Sequence, residues 1–168
     1  AWTSTGILRA TGANSLIQLG GTFGSVIPVT ERVSGGSIHL TGILNLGNQT
    51  LHFTAQNPPW QFSGCQVRDG TVEIDPGLFI AGNATFKNVT LAGNVTMTDG
   101  SLNLQENFRV QGALTIASGQ INLAPNATIS GSKLVLLNNT TLSLGGPATF
   151  APDSVIEGGE ANLYSSYP

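Results

Sequence analysis

Gly100-Ser101-Leu102-Asn103-Leu104 returns as Gly119-Gln120-Ile121-Asn122-Leu123, and again without the glycine as Thr141-Leu142-Ser143-Leu144. The leading apolar residues of the three copies, 102, 121 and 142, are 19 and 21 residues apart. In extended chain, apolar–any–apolar sends two apolar side chains to one side and the middle one to the other. Two earlier segments have the same form, Gly36-Ser37-Ile38-His39-Leu40 and Gly70-Thr71-Val72-Glu73-Ile74. Their middle residues (His39, Glu73, Asn103, Asn122 and Ser143) are all polar, as an outward position requires.

A finer rhythm lies inside this period. Candidate strand starts fall at Val95, Leu102, Phe108, Leu114, Ile121, Ala127, Leu134, Leu142, Ala148 and Val155, six to eight residues apart. Three such steps make one circuit of about 20 residues, the pattern of a three-faced solenoid. The expected fold is therefore all-β, a right-handed parallel β-helix with an inner stack of aliphatic rows. Seven or eight coils about 4.8 Å apart would make a rod of roughly 35–40 Å. The rival is an antiparallel β-sandwich, whose strands recur at wider spacing with hairpin dipeptides between them. Helix is poorly supported, because breakers interrupt every candidate amphipathic stripe.

The repeats define three regions. Residues 36–160 form the expected β-helix. Residues 1–35 show no clear repeat and are read as an N-terminal strand or cap, available for exchange with a neighbour. Residues 161–168 read as an irregular tail. Asn57-Pro58-Pro59-Trp60 marks a loop or interruption, since proline cannot donate to a ladder.

Composition narrows the function. Only 9% of the 168 residues are charged, while 40% are hydrophobic. Enough apolar surface is available to offset chain entropy, so disorder is not expected. A net charge of −3 with six basic residues speaks against nucleic-acid binding. No apolar run is long enough to span a membrane as a helix. Cys65 is the single cysteine, read as a small buried hydrophobe, with an intermolecular bridge as the alternative.

The repeats at 36–62 and 82–159 resemble bacterial surface β-helix proteins of the filamentous-haemagglutinin-like adhesin and autotransporter passenger types. The resemblance rests on Gly100-Ser-Leu-Asn-Leu104, Ala113-Leu-Thr-Ile-Ala-Ser-Gly119 and Leu123-Ala-Pro-Asn-Ala-Thr-Ile129. It covers about two thirds of the chain and carries no functional residue with it. It implies secretion, a rod shape, and a role in adhesion or surface scaffolding. This chain is far shorter than those proteins.

Little catalytic chemistry is legible. No phosphate-binding loop, metalloprotease motif or dinucleotide fingerprint is present, so no catalytic residue, metal site or cofactor is assigned. His39 and His52 stand apart from any Ser/Asp pattern and read as exposed strand residues. Asp69, Glu73 and Asp75, beside Arg68, form the only acidic cluster. Glu73 and Asp75 would share an outward face about 7 Å apart, a spacing a glycosidase pair could use, though a solvated acidic face explains it as well. Thr96-Met97-Thr98 has no Thr-x-Thr on adjacent coils, which argues against an ice-binding ladder.

Asn-x-Thr occurs at Asn48, Asn83, Asn88, Asn94, Asn126, Asn138 and Asn139, seven of the fourteen asparagines. These are acceptors for N-glycosylation in a secreted protein. The competing reading is local: asparagine favours a turn and threonine the strand after it.

The expected function is an extracellular structural subunit that self-associates end to end into a surface filament or fibre. Segment Trp2-Thr3-Ser4-Thr5-Gly6-Ile7-Leu8 is the candidate assembly strand. The alternatives are a surface adhesin or glycan-binding module using Trp60, Tyr164 and Tyr167, and a polysaccharide-acting enzyme.

Overall fold

A computed structural model describes residues 6–23, 29–33, 35–54, 60–77, 79–137, 139–159 and 161–165. Among them there is no helix, and every strand pairing is parallel. The chain winds as a right-handed parallel β-helix of about seven turns. The sandwich alternative is excluded, since it requires antiparallel neighbours joined by hairpins.

The deciding repeats stack directly. Ile121 of β10 (Gln120–Leu123) lies between Leu102 of β9 (Phe79–Ile116) and Leu142 of β12 (Thr141–Leu144). All three are at most 1% exposed. Leu104, Leu123 and Leu144 form the neighbouring column. Fully burying each such side chain is worth about 1.5–3 kcal/mol, and each new coil adds a layer to the same apolar axis.

The two earlier copies belong to other walls. Ser37–Leu40 (β5) pairs with Leu16–Leu19 (β2) and with Gln61 and Phe62 of β8 (Gln61–Ile74). Thr71–Ile74 of β8 pairs with Thr50–Phe53 (β7). One motif serves different faces, because every wall needs the same inward pair. Aromatic residues thicken the core: Phe62 and Phe86 meet edge to face at 5.8 Å, and Phe86 and Phe108 lie 6.3 Å apart.

The corners explain the turn residues. At Gly100 φ is +92° and at Gly119 it is +102°. A Cβ on Gly119 would strike the carbonyl of Gly100, and one on Gly100 the carbonyl of Gly82. Only glycine permits this approach and this conformation together. A second corner uses side chains instead. Asn48, Asp69, Asn88, Glu106 and Asn126 all have φ between 54° and 66°. Asn and Asp occupy the left-handed region at least cost among residues with a Cβ.

The solenoid extends past both expected limits. Upstream of residue 36, Leu16–Leu19 stacks in register on Ser37–Leu40, and Ile7–Thr11 (β1) pairs with Val29–Val33 (β4). Downstream, Asn162–Ser165 (β15) pairs with β12 instead of forming an irregular tail. The first third hides its period because an apolar Leu16 takes the outward place that Ser37 holds on the next coil, although its corner glycines do stack, Gly42 against the Gly21 backbone. Val155–Gly158 begins where expected, and its second residue, Ile156, stacks on Leu134.

Candidate functional site

The last described coil is built from Thr149–Phe150 (β13), Val155–Gly158 (β14) and β15. Phe150 stacks on Ile129, Ile156 on Leu134, and Leu163 on Leu142. These are the inward columns of the core, yet Phe150, Ile156 and Leu163 are 36%, 43% and 71% exposed. The first coil differs: Ala10, Leu19 and Phe23 are each 1% exposed. Leu8 and Ile17 of the first coil are partly buried, so among the described residues the last coil exposes more of its inward columns than the first.

The expected assembly strand is partly accounted for. Ile7 and Leu8 pair in register with Val29 and Thr30 of the same chain. Trp2, Thr3, Ser4 and Thr5 lie outside the described residues. Trp60 is a correction: it is buried, its indole N–H donates to Thr30 Oγ1 at 3.0 Å, and its ring meets Phe53 edge to face at 5.6 Å. It directly precedes Gln61 and Phe62, which pair with His39 and Leu40, and this tryptophan is core and no surface contact. Tyr164 is exposed, and Tyr167 lies outside the described residues.

Six of the seven sequon asparagines are described, and all six are exposed. Asn48, Asn88, Asn126 and Asn139 have positive φ, so the backbone itself calls for asparagine there. Asn88 Nδ2 also donates to Asp69 Oδ1 at 3.2 Å. Asn94 Oδ1 accepts the N–H of Ala113 on the next coil at 3.1 Å. Asn83 lies in register with Ser63, and Asn138 is outside the described residues. At Asn48, Asn88, Asn126 and Asn139 the Asn-x-Thr spacing follows from this winding, because the left-handed corner residue is followed two positions later by an outward strand residue. Thr50, Thr71 and Thr90 accordingly form a three-rung column that was not evident in the sequence. With Asn48, Gly70 and Asn88, the latter two threonines line a shallow polar depression of about 210 Å³.

The titratable groups are scattered pairs. His52, expected to stand alone, bonds Asp75 Oδ1 through Nε2 at 2.8 Å, since 52 and 75 meet where adjacent coils leave the same wall. Glu73 is exposed within the strand, whereas Asp75 lies beyond its end and turns to His52. Arg68 Nε lies 3.9 Å from Asp69 Oδ2. The Cys65 thiol is buried, and burial pushes its pKa up to about 12, against a smaller downward pull from backbone hydrogen bonds.

One regular surface feature is neutral. Outside the Leu102–Ile121–Leu142–Leu163 column runs a row of Ser101, Gln120, Thr141 and Asn162. Beside it runs a row of Asn103, Asn122, Ser143 and Tyr164. Asn122 Nδ2 donates to Asn103 Oδ1 at 3.0 Å and to Ser101 Oγ at 2.9 Å. Gln120 Nε2 reaches Ser101 Oγ at 3.4 Å. The signal for this strip was present in the polar positions of the same Gly-Ser-Leu-Asn-Leu repeats.

Among the described residues, no group of three or more His, Cys, Asp or Glu is placed to hold a metal, and no helix is long and apolar enough to cross a membrane. Comparison with family models, curated proteins and solved structures gives no match. The chain is defined by its fold as a parallel β-solenoid, and the resemblance to surface adhesins rests on the repeat motifs alone.

Proposed function

We propose that this chain is an extracellular structural rod that acts by shape and surface and associates end to end with a second copy through its C-terminal coil. The carrying observation is the exposure of Phe150, Ile156 and Leu163 at positions that are buried one coil earlier. In the sheet order, β13, β14 and β15 each have a single neighbour. Another β-coil laid on them would remove the apolar surface from water and continue the ladders.

Two kinds of joint could use this surface. A head-to-tail joint propagates into a filament, while a tail-to-tail joint closes as a two-fold pair. The scarcity of charge supports either joint, because little repulsion opposes contact. The exposed sequon asparagines suit glycan attachment in an extracellular setting, read out by intact mass before and after glycosidase treatment.

Sedimentation velocity over a concentration series tests the reading. The wild-type chain is expected to form dimers or longer species, and Leu163→Lys to remain monomeric with an unchanged β spectrum. A wild-type chain that stays monomeric at the highest soluble concentration would sink the proposal.

A further inference from the structure

We infer that the strip of neutral side chains on the upper part of one wall docks an extended, uncharged polysaccharide. Its core is Ser101, Asn103, Gln120, Asn122 and Ser143, with Tyr164 at the end. None of the strip's side chains is charged. The other walls carry His39, His52, Glu73, Arg109 and Glu157 outward, and the ladder leading into this wall from the N-terminal side carries Arg68 and Lys87. A neutral strip matches a ligand that offers hydroxyls without a field to steer it. An acidic glycan or a nucleic acid would need counter-charges that are absent from it.

The geometry suits such a chain. Side-chain amides pair with sugar hydroxyls as donor and acceptor, and rungs recur about 4.8 Å apart, near the length of one pyranose in an extended chain. Successive rungs therefore meet successive sugars. The bonds from Asn122 to Asn103 and Ser101 hold the amides in place before any ligand arrives. Less rotamer freedom is then lost on binding. Tyr164, 61% exposed and in register with Ser143, ends the strip with an aromatic face on which the C–H side of a pyranose can pack.

This inference is independent of the association surface. Leu163 and Tyr164 are adjacent on β15 and point to opposite sides of the strand.

Affinity electrophoresis of the full chain through native gels tests it. The gels contain mixed-linkage β-glucan, xyloglucan, galactomannan or, as the acidic control, polygalacturonate. Retardation is expected in at least one neutral gel and not in polygalacturonate. Tyr164→Ala should weaken that interaction about threefold to tenfold, as loss of one ring contact predicts. Gln120→Glu, at an exposed position, should weaken it with an unchanged thermal midpoint. Leu163→Lys should leave it intact. No retardation in any neutral gel, equal retardation in polygalacturonate, or wild-type retardation of both the Tyr164 and Gln120 variants would overturn the inference.

Discussion

Leu163 lies directly on Leu142 in the parallel ladder, yet Leu142 is 1% exposed and Leu163 is 71% exposed. The same residue type in the same column is core in one coil and surface in the next. Leu142→Ala should therefore lower stability by about 2–5 kcal/mol, as cavity-forming substitutions do. Leu163→Ala should cost the monomer less than about 1 kcal/mol. Urea unfolding at low protein concentration measures both. Equal costs would show that Leu163 is covered within the single chain.

The glycine corners predict a graded response. Gly12 has φ +93° with open space where a Cβ would stand, whereas Gly119 has φ +102° and the Gly100 carbonyl in the way. Gly12→Ala should cost about 1–2 kcal/mol, the penalty of the left-handed conformation alone. Gly119→Ala should cost clearly more, since the coil spacing must also give. Thermal midpoints of the two variants provide the comparison.

Asn126 tests why sequon asparagines stand at a corner. Its φ is +63°. Asn126→Gly should change stability by less than about 0.5 kcal/mol, and Asn126→Val should lose about 1–2 kcal/mol. The order should hold in glycan-free protein from a bacterial host. If both substitutions proved equally harmless, the backbone reason for asparagine would fail.

Cys65 makes stability depend on alkaline pH. Burial raises its pKa from the ordinary 9.0 to about 12. Between those values the unfolded chain releases a proton that the folded chain keeps, so stability present below pH 9 falls as pH rises toward 12. The slope is at most about 1.4 kcal/mol per pH unit. Cys65→Ala should remove this component, seen as a shallower loss of unfolding free energy between pH 9 and 11. The native thiol should also resist alkylation until the chain is unfolded.

Much of the fold was legible because a solenoid writes its geometry locally. Leu102, Ile121 and Leu142 announce their stacking by spacing alone, and Gly100 and Gly119 mark the corner that precedes them. The N-terminal coils were not legible, since Leu16, apolar at the outward place that Ser37 holds on the next coil, masks the alternation of Leu16–Leu19. Trp60 was misread because the Asn-Pro-Pro sequence before it reads as an interruption, while its burial rests on contacts with Thr30 and Phe53 that are distant in sequence or set by the winding. His52 and Asp75 sit 23 residues apart, and only the coil register brings them together.

The amino-acid order by itself determined that strands are short, that they recur about three to a circuit, and that each sends aliphatic pairs inward. That follows because strand alternation and corner chemistry act over a few residues. Tertiary structure alone decided which wall each repeat joins, which polar side chains fall into one neutral strip, and how well each coil's inward columns are covered. Those properties depend on the cumulative register of successive coils, to which every insertion or deletion of one residue at a corner contributes.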